Sequence, residues 1–515
     1  MNLPPPLMQK LAQARQLIAD HKPGEAARLN AELLAAAPGH PAVLIQASRL
    51  AGIQGQARRG REFARRAFVH RPRDPAGLVR LLDRLHVFQC YDELRMLYDE
   101  VASMPPEPRL LDEMARVMNQ MNLPAQALTL LDRGLAAFPG SPKLLQSRAQ
   151  TRLFLGDFDG AEADLAALLS RQPGDAFGWW LRAKLPPRGS DHAPAIRDAL
   201  ARVPSGDADS TVFLAYALHA VLDAQGDFDG AAHALDLANR TRRAQLDYRP
   251  QDDARLFEAL AAAPVRPPVG PDDGRTPVFI IGLHRSGTTL LEQLLSGHPR
   301  VRALGELLDV PGQLAQATDY NLKGLMDLEL ARRAASADLA AFGRGYLDAV
   351  AWRLGDEPVF TDKLPANYFS VGFIAQALPA ARFLHLVRDP METGFSNLRE
   401  YFSDTVNRHA YDQAEMAGHY HAYRALMAHW HRVLPGRILD VDYARLTAGP
   451  GAVMREVCAF CGLDFVPGVE RTDSGRAVTT ASMVQARGGV SRRDQPKWLP
   501  YADYLAPLAR ALRGG

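Results

Sequence analysis

Residues 277–298 have the sequence PVFIIGLHRSGTTLLEQLLSGH, and this stretch decides the fold of the C-terminal half of the chain. It begins with a short apolar run rich in β-branched residues, which is typical of a strand buried in a parallel sheet. A polar loop bounded by Gly282 and Gly287 follows, and an apolar pattern with helical spacing comes next. A strand, a glycine-bounded loop and a helix in this order predict a loop whose backbone N–H groups bind an anion.

The spacing of the two glycines matches the nucleotide-binding P-loop G-x-x-x-x-G-K-[ST], but Thr288 stands where that motif has lysine. The missing lysine is the group that reaches the terminal phosphates of a nucleoside triphosphate. No acidic strand end that could hold magnesium is evident either, so ATP or GTP hydrolysis is disfavoured. The loop is instead suited to bind a smaller phosphate group without a metal ion. The residues available for this are Arg285, Ser286, Gly287, Thr288 and Thr289. A P-loop kinase and a glycine-rich turn without a ligand stay open as alternatives.

Further strand-like runs alternate with helical patterns after this loop. They are PVFTDK (358–363), ARFLHLVRD (381–389) and RILDVDY (437–443). Strand–helix alternation predicts a parallel sheet covered on both faces. A C-x-x-C pair, Cys458 and Cys461, lies in a helical segment with no second ligand pair nearby, so we interpret it as packing. His385 lies inside an apolar strand and is interpreted as a hydrogen-bonded core histidine.

The first half of the chain has a period near 34 residues, which is that of tetratricopeptide (TPR) repeats. Prolines close helical stretches at positions 38, 72, 105 or 106, 139 and 173, and the phrase GDFDGA occurs at both 156–161 and 226–231. We therefore predict the fold class α + α/β, a TPR α-solenoid followed by a P-loop-like α/β domain with a parallel sheet. The predicted boundaries are 1–250 for the repeats, 251–276 for a Pro- and Gly-rich linker and 277–515 for the second domain.

Composition narrows the function classes. The 515 residues carry a formal net charge of +2 and three cysteines. The small net charge gives no argument for nucleic acid or an anionic membrane as a partner. Three cysteines are too few for disulfides to stabilise a fold of this size. The N-terminal residues lack the basic-then-apolar plan of a signal peptide, and no apolar run approaches the roughly 20 residues that span a bilayer. We expect a cytoplasmic protein with no membrane span.

Two motifs together resemble the sulfotransferase family. IGLHRSGTTLLEQLLSGHP resembles the loop that binds the 5′-phosphosulfate of 3′-phosphoadenosine 5′-phosphosulfate (PAPS), and FLHLVRDPMETGFSNL resembles the 3′-phosphate motif. In that second motif Arg388 and Ser396 take the places of the family's phosphate clamp. An arginine fork makes charge-assisted bidentate bonds to phosphate, which suits this role. With the repeats, the whole chain resembles bacterial TPR sulfotransferases, which implies PAPS as co-substrate and no metal.

Within that superfamily the motifs are most similar to protein-tyrosine sulfotransferases. The resemblance places a catalytic base at Glu306 in HPRVRALGEL, and a lysine that neutralises the leaving phosphate at Lys363 in DKLPANY. It implies that Arg285 assists from the loop. It further implies donor contacts from Tyr443, Ser482 and Lys497. Glu400 stands where the family has a basic residue, with Arg399 adjacent, and His284 stays open as an alternative base.

The favoured hypothesis is sulfuryl transfer from PAPS to an acceptor hydroxyl, with tyrosine of a peptide or protein as the acceptor. A glycan or small molecule is the first alternative, and a TPR adaptor with an inactive nucleotide-binding domain is another. The solenoid would capture or orient the acceptor, or join two copies into a homodimer. An arginine-rich run at 58–73 is either a solvated helix face or a patch for an acidic partner.

Overall fold

The computed structural model describes residues 3–186, 191–322, 324–472 and 495–514. The part before residue 263 is helical throughout. Its helices are α1 (Pro5–Ala19), α2 (Pro23–Ala36), α3 (Pro41–Ile53), α4 (Ala57–Val69), α5 (Pro75–Val87), α6 (Tyr91–Ser103), α7 (Pro108–Gln120), α8 (Pro124–Ala137), α9 (Pro142–Leu155), α10 (Phe158–Arg171), α11 (Ala176–Ala183), α12 (Ala193–Ala201), α13 (Ala208–Gln225), α14 (Phe228–Gln245) and α15 (Pro250–Ala262).

Successive helices pair into a TPR-like solenoid, as the proline period predicts. Each of the predicted prolines lies in the connection between one pair and the next, where its missing N–H and fixed φ end a helix. Small residues lie where paired helices approach closely: Ser48 Oγ donates to the carbonyl of Gly60 at 2.8 Å, and Ala115 and Ala127 are fully buried. Each pair covers an apolar face of its neighbour, and the helices from α3 to α11 share one continuous core.

The helix α15 lies within the segment 251–276 that the sequence predicts as a linker. Its residues PQDDARLFEALAA contain one proline, at the first helical position, where proline is tolerated. The prolines at 264, 267 and 268 come after the helix, so the stretch without helix or strand begins only at Ala263. The linker prediction is therefore wrong for its first half.

The second part of the chain alternates strands and helices. Its elements are β1 (Thr276–Gly282), α16 (Thr288–Leu295), β2 (Val301–Ala303), α17 (Asp309–Thr318), α18 (Leu328–Ala334), α19 (Leu339–Val350), β3 (Val359–Asp362), α20 (Val371–Ala377), β4 (Arg382–Val387), α21 (Pro390–Leu398), α22 (Gln413–Val433), β5 (Ile438–Asp442), α23 (Tyr443–Ala448), α24 (Pro450–Phe460) and α25 (Ala506–Arg513), with 3₁₀ helices at Ala351–Arg353, Pro365–Ser370, Arg408–Tyr411 and Leu499–Tyr501. Across the described ranges, none of the helices is both long and apolar enough to cross a bilayer.

The strands form one sheet of order β2-β3-β1-β4-β5, in which every pairing is parallel. Its central strand β1 is buried on both faces, with Val278 and Ile280 in one apolar cluster and Phe279 and Ile281 in the other. The connection after β1 leads to β2, on the side of the sheet where β3 lies, and the connection after β4 leads to β5 on the opposite side. The carboxyl ends of β1 and β4 therefore flank the point where the connections diverge, which is where ligands bind in open α/β sheets. The predicted fold class is confirmed.

The solenoid packs directly against the sheet domain. Arg243 makes a two-pronged ion pair with Glu415, with N–O distances of 2.7 and 2.8 Å. Asp223 of α13 accepts from Arg399 at 2.5 Å and from the hydroxyl of Tyr501 at 2.6 Å. One apolar cluster contains residues from α13, α14 and α22 together. The repeats thus pack against one another and also form a buried interface with the second domain.

A buried histidine at this interface, His219, makes the stability of the fold sensitive to acid. His219 Nε2 accepts from Arg399 at 2.8 Å, and burial first, then the charge of Arg399, lower its pKa to about 3. The unfolded chain binds a proton with a pKa of about 6.5, so this group's stabilisation is complete above pH 6.5 and is lost as the pH falls toward 3.

Between pH 7 and pH 5 we therefore expect His219 to lower the free energy of unfolding by about 2 kcal/mol. Urea unfolding of the wild type and of His219→Gln at both pH values measures this. The variant should lose about 2 kcal/mol less than the wild type over that interval. Equal losses in the two proteins would contradict the prediction, because all other titrating groups are common to both.

Candidate functional site

The predicted anion-binding loop lies at the carboxyl end of β1 and at the start of α16. Arg285 takes a left-handed backbone conformation at φ 67°, and Gly287, which precedes α16, has φ 108°. A side chain on Gly287 would also collide with the ring of Tyr443, so glycine is required there both for conformation and for space. No side chain caps the N-terminus of α16, which leaves the helix end to receive an anion.

The arginine that follows β4 is held against this loop. Arg388 Nη1 donates to the carbonyl of Arg285 at 3.0 Å, and its Nη2 pairs with Glu392 at 2.6 Å. Ser396, eight residues further on, accepts from Arg285 Nε at 3.3 Å. The register of the sheet explains this meeting, because Gly282 of β1 lies beside Leu386 of β4.

Two more predicted donor contacts lie at the same place. The guanidinium of Arg388 lies 4.5 Å from the centre of the Tyr443 ring. The backbone N–H of Lys497 donates to Glu392 Oε1 at 2.8 Å, and the other oxygen of Glu392 holds Arg388. Ser482 lies outside the described residues.

The predicted base and the predicted lysine are in contact. Lys363 Nζ lies 2.5 Å from Glu306 Oε1. The lysine side chain is fully buried, whereas the glutamate side chain is 33% exposed. Glu306 Oε2 has no hydrogen bond to any residue in the described ranges, so this oxygen is available to a proton donor.

Charge interactions connect the base to the loop. Burial lowers the pKa of Arg285; positive Arg388 acts in the same direction, and negative Glu400 and Glu306 oppose it. Glu400 pairs with Lys184 of the solenoid at 2.7 Å. Arg399 turns away to Asp223 and His219. A buried guanidinium with a second guanidinium nearby is an environment that an anion would stabilise.

Two buried polar atoms, one on the loop and one after β4, lack hydrogen-bond partners. The hydroxyl of Ser286 and the Nε of Arg388 are buried and unpaired within the described part of the chain. Buried polar atoms are normally satisfied, and acceptor oxygens of a bound anion would satisfy both of these donors. The two atoms belong to the two segments predicted for the 5′- and 3′-phosphate groups.

Some residues that shape the site were missed in the sequence. Glu292 of α16 accepts from the N–H of Gly305 at 2.9 Å and from the hydroxyl of Thr361 at 2.8 Å, which fixes the loop that carries Glu306. Asn397 donates to the carbonyl of His284 at 2.8 Å. The available signal for Glu292 was a carboxylate between leucine pairs in LLEQLL; the residue is 5% exposed.

The histidine and the two cysteines interpreted from the sequence as core residues are buried and packed in the structure. His385 Nδ1 lies 2.7 Å from Asp440 Oδ1 and its other nitrogen contacts the hydroxyl of Tyr423, so it is a satisfied core histidine. Cys458 and Cys461 are buried in the apolar cluster under the sheet, and burial raises the pKa of both thiols. These groups pack and do not face the loop.

Comparison with known proteins agrees with this geometry. The family model described as "Sulfotransferase family" matches residues 277–467. A protein of Aquifex aeolicus named "Uncharacterized protein" is 28% identical over 417 residues, which cover 78% of this chain and 54% of that protein. Protein-tyrosine sulfotransferase 1 of Danio rerio is 26% identical over 207 residues, 36% of this chain and 53% of the relative.

The chain spans about half the length of the curated relatives it matches. Among solved structures, the sulfotransferase domain of the olefin synthase from Synechococcus PCC 7002 aligns with a TM-score of 0.29 and 18% identity, over 47% of this chain and 98% of that domain. The family model covers the loop, the arginine after β4 and the Glu306–Lys363 pair. Residues 277–467 of this chain, preceded by a TPR-like helical array, therefore match the sulfotransferase family model.

Proposed function

We propose that this chain transfers the sulfuryl group of PAPS to an acceptor hydroxyl, and that the acceptor is a tyrosine of a peptide or protein. The observation that carries the proposal is the pair of unpaired buried atoms, Ser286 Oγ and Arg388 Nε, on two segments that meet at the sheet's divergence point. A nucleotide with a 3′-phosphate and a 5′-phosphosulfate has oxygens to satisfy both.

The donor would lie across the ends of β1 and β4. The 5′-phosphosulfate would be held by the loop and the start of α16, through Arg285, Ser286, Gly287, Thr288 and Thr289. The 3′-phosphate would lie against Arg388 and Ser396, with Tyr443 and Lys497 nearby. Charge-assisted bonds from a guanidinium to phosphate are shorter and stronger than bonds between neutral groups. This chain's own cations supply the positive charge, so the proposal needs no metal.

The transfer would be an in-line displacement at sulfur. The acceptor oxygen forms a bond to sulfur as the bond from sulfur to the 5′-phosphate oxygen breaks, and the acceptor proton moves to a base. Adenosine 3′,5′-bisphosphate and the sulfated acceptor leave. Lys363 and Arg285 would stabilise the negative charge that develops on the bridging oxygen, since preorganised cations in a buried site act strongly on such charge.

Glu306 is the base we propose. Its Oε2 has no hydrogen bond to a described residue, and the buried ammonium of Lys363 holds the other oxygen. Burial, together with the charges of Lys363, His419 and Arg285, lowers the pKa of His284 to about 3. A histidine with this pKa is neutral near pH 7 but is a weak proton acceptor, because a base works best with a pKa near the operating pH.

The tyrosine acceptor is supported by relatives named protein-tyrosine sulfotransferase in Danio rerio, Gallus gallus and Drosophila melanogaster, at 24 to 26% identity. A phenol also suits a carboxylate base, because its pKa of about 10 is far lower than that of an alcohol. A glycan or small-molecule acceptor is the alternative that the experiment below distinguishes.

Donor binding is the first test. We expect adenosine 3′,5′-bisphosphate at 100 times its Kd, without magnesium, to raise the free energy of unfolding by about 2.7 kcal/mol. The measurement is thermal or urea unfolding with and without the ligand, with ATP plus magnesium and adenosine as comparisons. Stabilisation by ATP plus magnesium in preference to the bisphosphate would overturn the proposal in favour of a kinase.

The acceptor is tested with donor carrying radioactive sulfur. A peptide with a single tyrosine should take up label, and the same peptide with phenylalanine at that position should not. A glucosamine oligosaccharide and a simple phenol complete the panel. Label on the oligosaccharide but not on the tyrosine peptide would replace the acceptor and keep the reaction, whereas donor binding without any transfer would favour an inactive adaptor.

A further inference from the structure

One backbone conformation recurs in the solenoid at the turn inside each helix pair. His21, Gly55, Gln89, Asn122 and Gly156 lie 33 or 34 residues apart, and all have positive φ, between 53° and 81°. Glycine takes this conformation without strain, and Gly55 and Gly156 follow that rule. Histidine, glutamine and asparagine occupy the other three turns, although non-glycine residues at positive φ are uncommon. The side chain of His21 is exposed, whereas those of Gln89 and Asn122 contact the second domain.

Asn122 reaches out of its turn to the segment that carries Glu306. Its Nδ2 donates to the carbonyl of Leu304 at 3.1 Å and to the carbonyl of Glu306 at 2.8 Å. The carbonyl between them, that of Gly305, accepts from the N–H of Lys363 at 2.9 Å. The sheet domain thus holds the middle carbonyl of this loop, and the solenoid holds the two on either side.

The loop is shaped to receive that amide. Gly305 has φ 77°, and a Cβ placed on it would lie 3.1 Å from Asn122 Nδ2, which is closer than ordinary van der Waals contact. The glycine therefore leaves room for the asparagine and at the same time permits the turn. Its N–H is fixed from the other side by Glu292.

The preceding turns of the solenoid continue the contact along the chain. Gln89 Nε2 donates to the carbonyl of Leu308 at 2.5 Å, and Gly312 of α17 lies so close that a Cβ would overlap the glutamine amide. The turn at Gly55 accepts from the N–H of Asn321 at 3.0 Å. Three consecutive repeat turns thus hold three consecutive parts of the segment 304–321, which runs on from the proposed base.

We propose that Asn122 is a positioning residue for catalysis: its amide fixes the backbone on both sides of Gly305 and so sets where the Glu306 carboxylate lies. The solenoid would then be part of the catalytic apparatus and not only a docking array. This inference rests on the proposed function, because it acts through Glu306. Misplacing a reacting group by about 1 Å can cost about 100-fold in rate, so a small shift of this loop has a measurable effect.

The experiment compares three variants with the wild type, using labelled donor and the single-tyrosine peptide. Asn122→Gly keeps the positive φ and removes the amide, and Asn122→Asp keeps the shape but replaces the donor with an acceptor. We expect both to lower kcat by about 10- to 100-fold with unchanged Kd and binding stoichiometry for adenosine 3′,5′-bisphosphate. His21→Gly is the matched control at the equivalent turn, where the side chain is exposed, and should leave kcat unchanged.

A double-mutant cycle separates positioning from a general loss of structure. If Asn122 acts through Glu306, Asn122→Gly should lower kcat no further in a Glu306→Gln background. An unchanged kcat in Asn122→Gly, a loss of binding stoichiometry that accounts for the lower kcat, or additive effects in the cycle would each overturn the proposal. If Glu306→Gln alone keeps full activity, the failure lies in the proposed base and not in Asn122.

Discussion

Replacing Glu306 by glutamine should lower kcat for sulfuryl transfer by about 10²- to 10⁴-fold while the Kd of adenosine 3′,5′-bisphosphate stays unchanged. Glutamine has nearly the same shape but cannot accept the acceptor's proton. The donor groups lie on the loop and after β4, and Glu306 is on a different segment, between β2 and α17. The loss should therefore fall on turnover and not on donor binding.

The substitution also changes the surroundings of Lys363. This side chain is fully buried and pairs with Glu306, so the variant leaves a buried ammonium without its carboxylate. We expect a lower unfolding midpoint, and kcat must be expressed per donor-binding site measured by titration at a temperature well below that midpoint. Glu329→Gln, which breaks an exposed pair with Arg333 on α18, is the control and should leave kcat unchanged.

His284→Asn tests the alternative base under the same conditions. Its low pKa predicts a smaller loss of kcat than that of Glu306→Gln. A collapse of kcat in His284→Asn together with near-normal turnover in Glu306→Gln would exchange the two roles. Near-normal turnover in both variants would remove acid–base catalysis from this mechanism.

Local pattern was enough to predict the main features of the fold. The strands β1, β3, β4 and β5 are short apolar runs next to helical patterns, and each was predicted where the structure has it. The strand β2 was missed because its three residues, Val301–Ala303, are too few to show a period. The repeat period likewise predicted which helices pair, since it reflects packing between neighbours along the chain.

Contacts between the two parts of the chain could not be predicted in this way. The arginine-rich run at 58–73 was interpreted as a solvated face or a partner patch, yet Arg58 bonds to the carbonyls of Gln316 and Ala317. Arg65 and Arg71 pair with Glu93 and Glu100 of the next repeat. A periodic pattern shows which face of a helix is buried against neighbouring repeats. It carries no information on which part of the solenoid is covered by another domain.

The same limit explains which site residues were found. Arg285 was predicted from the glycine-bounded loop that contains it, and Arg388, Ser396 and Glu306 from the resemblance of their segments to sulfotransferase motifs. Asn122, which contacts the same loop from more than 180 residues away in sequence, looks like any turn residue until the fold brings it there. What distinguishes Asn122 is that it occupies a turn with positive φ, where glycine would be free of strain. This can be recognised only once the backbone conformation is known.

Replacing Arg388 by alanine should weaken binding of adenosine 3′,5′-bisphosphate by about 100-fold, which is about 2.7 kcal/mol, and should leave binding of adenosine 5′-phosphate nearly unchanged. The two ligands differ only in the 3′-phosphate, so their difference isolates the contact with that group. The unpaired Nε of Arg388 is the atom we expect the phosphate to engage. Arg388→Lys keeps the charge but loses the planar fork, and its affinity should fall between those of the wild type and the alanine variant.

Arg388 also supports the loop, and the comparison of ligands separates this effect from phosphate binding. Its Nη1 donates to the carbonyl of Arg285, so a purely structural loss would weaken both nucleotides equally through the loop that they share. Arg445→Ala is the matched control: this arginine lies on α23 close to Tyr443 in sequence but is exposed and pairs with Glu456. Equal weakening of both nucleotides by Arg388→Ala would mean that the 3′-phosphate lies elsewhere, and the clamp would then have to be sought among the other cations near β4.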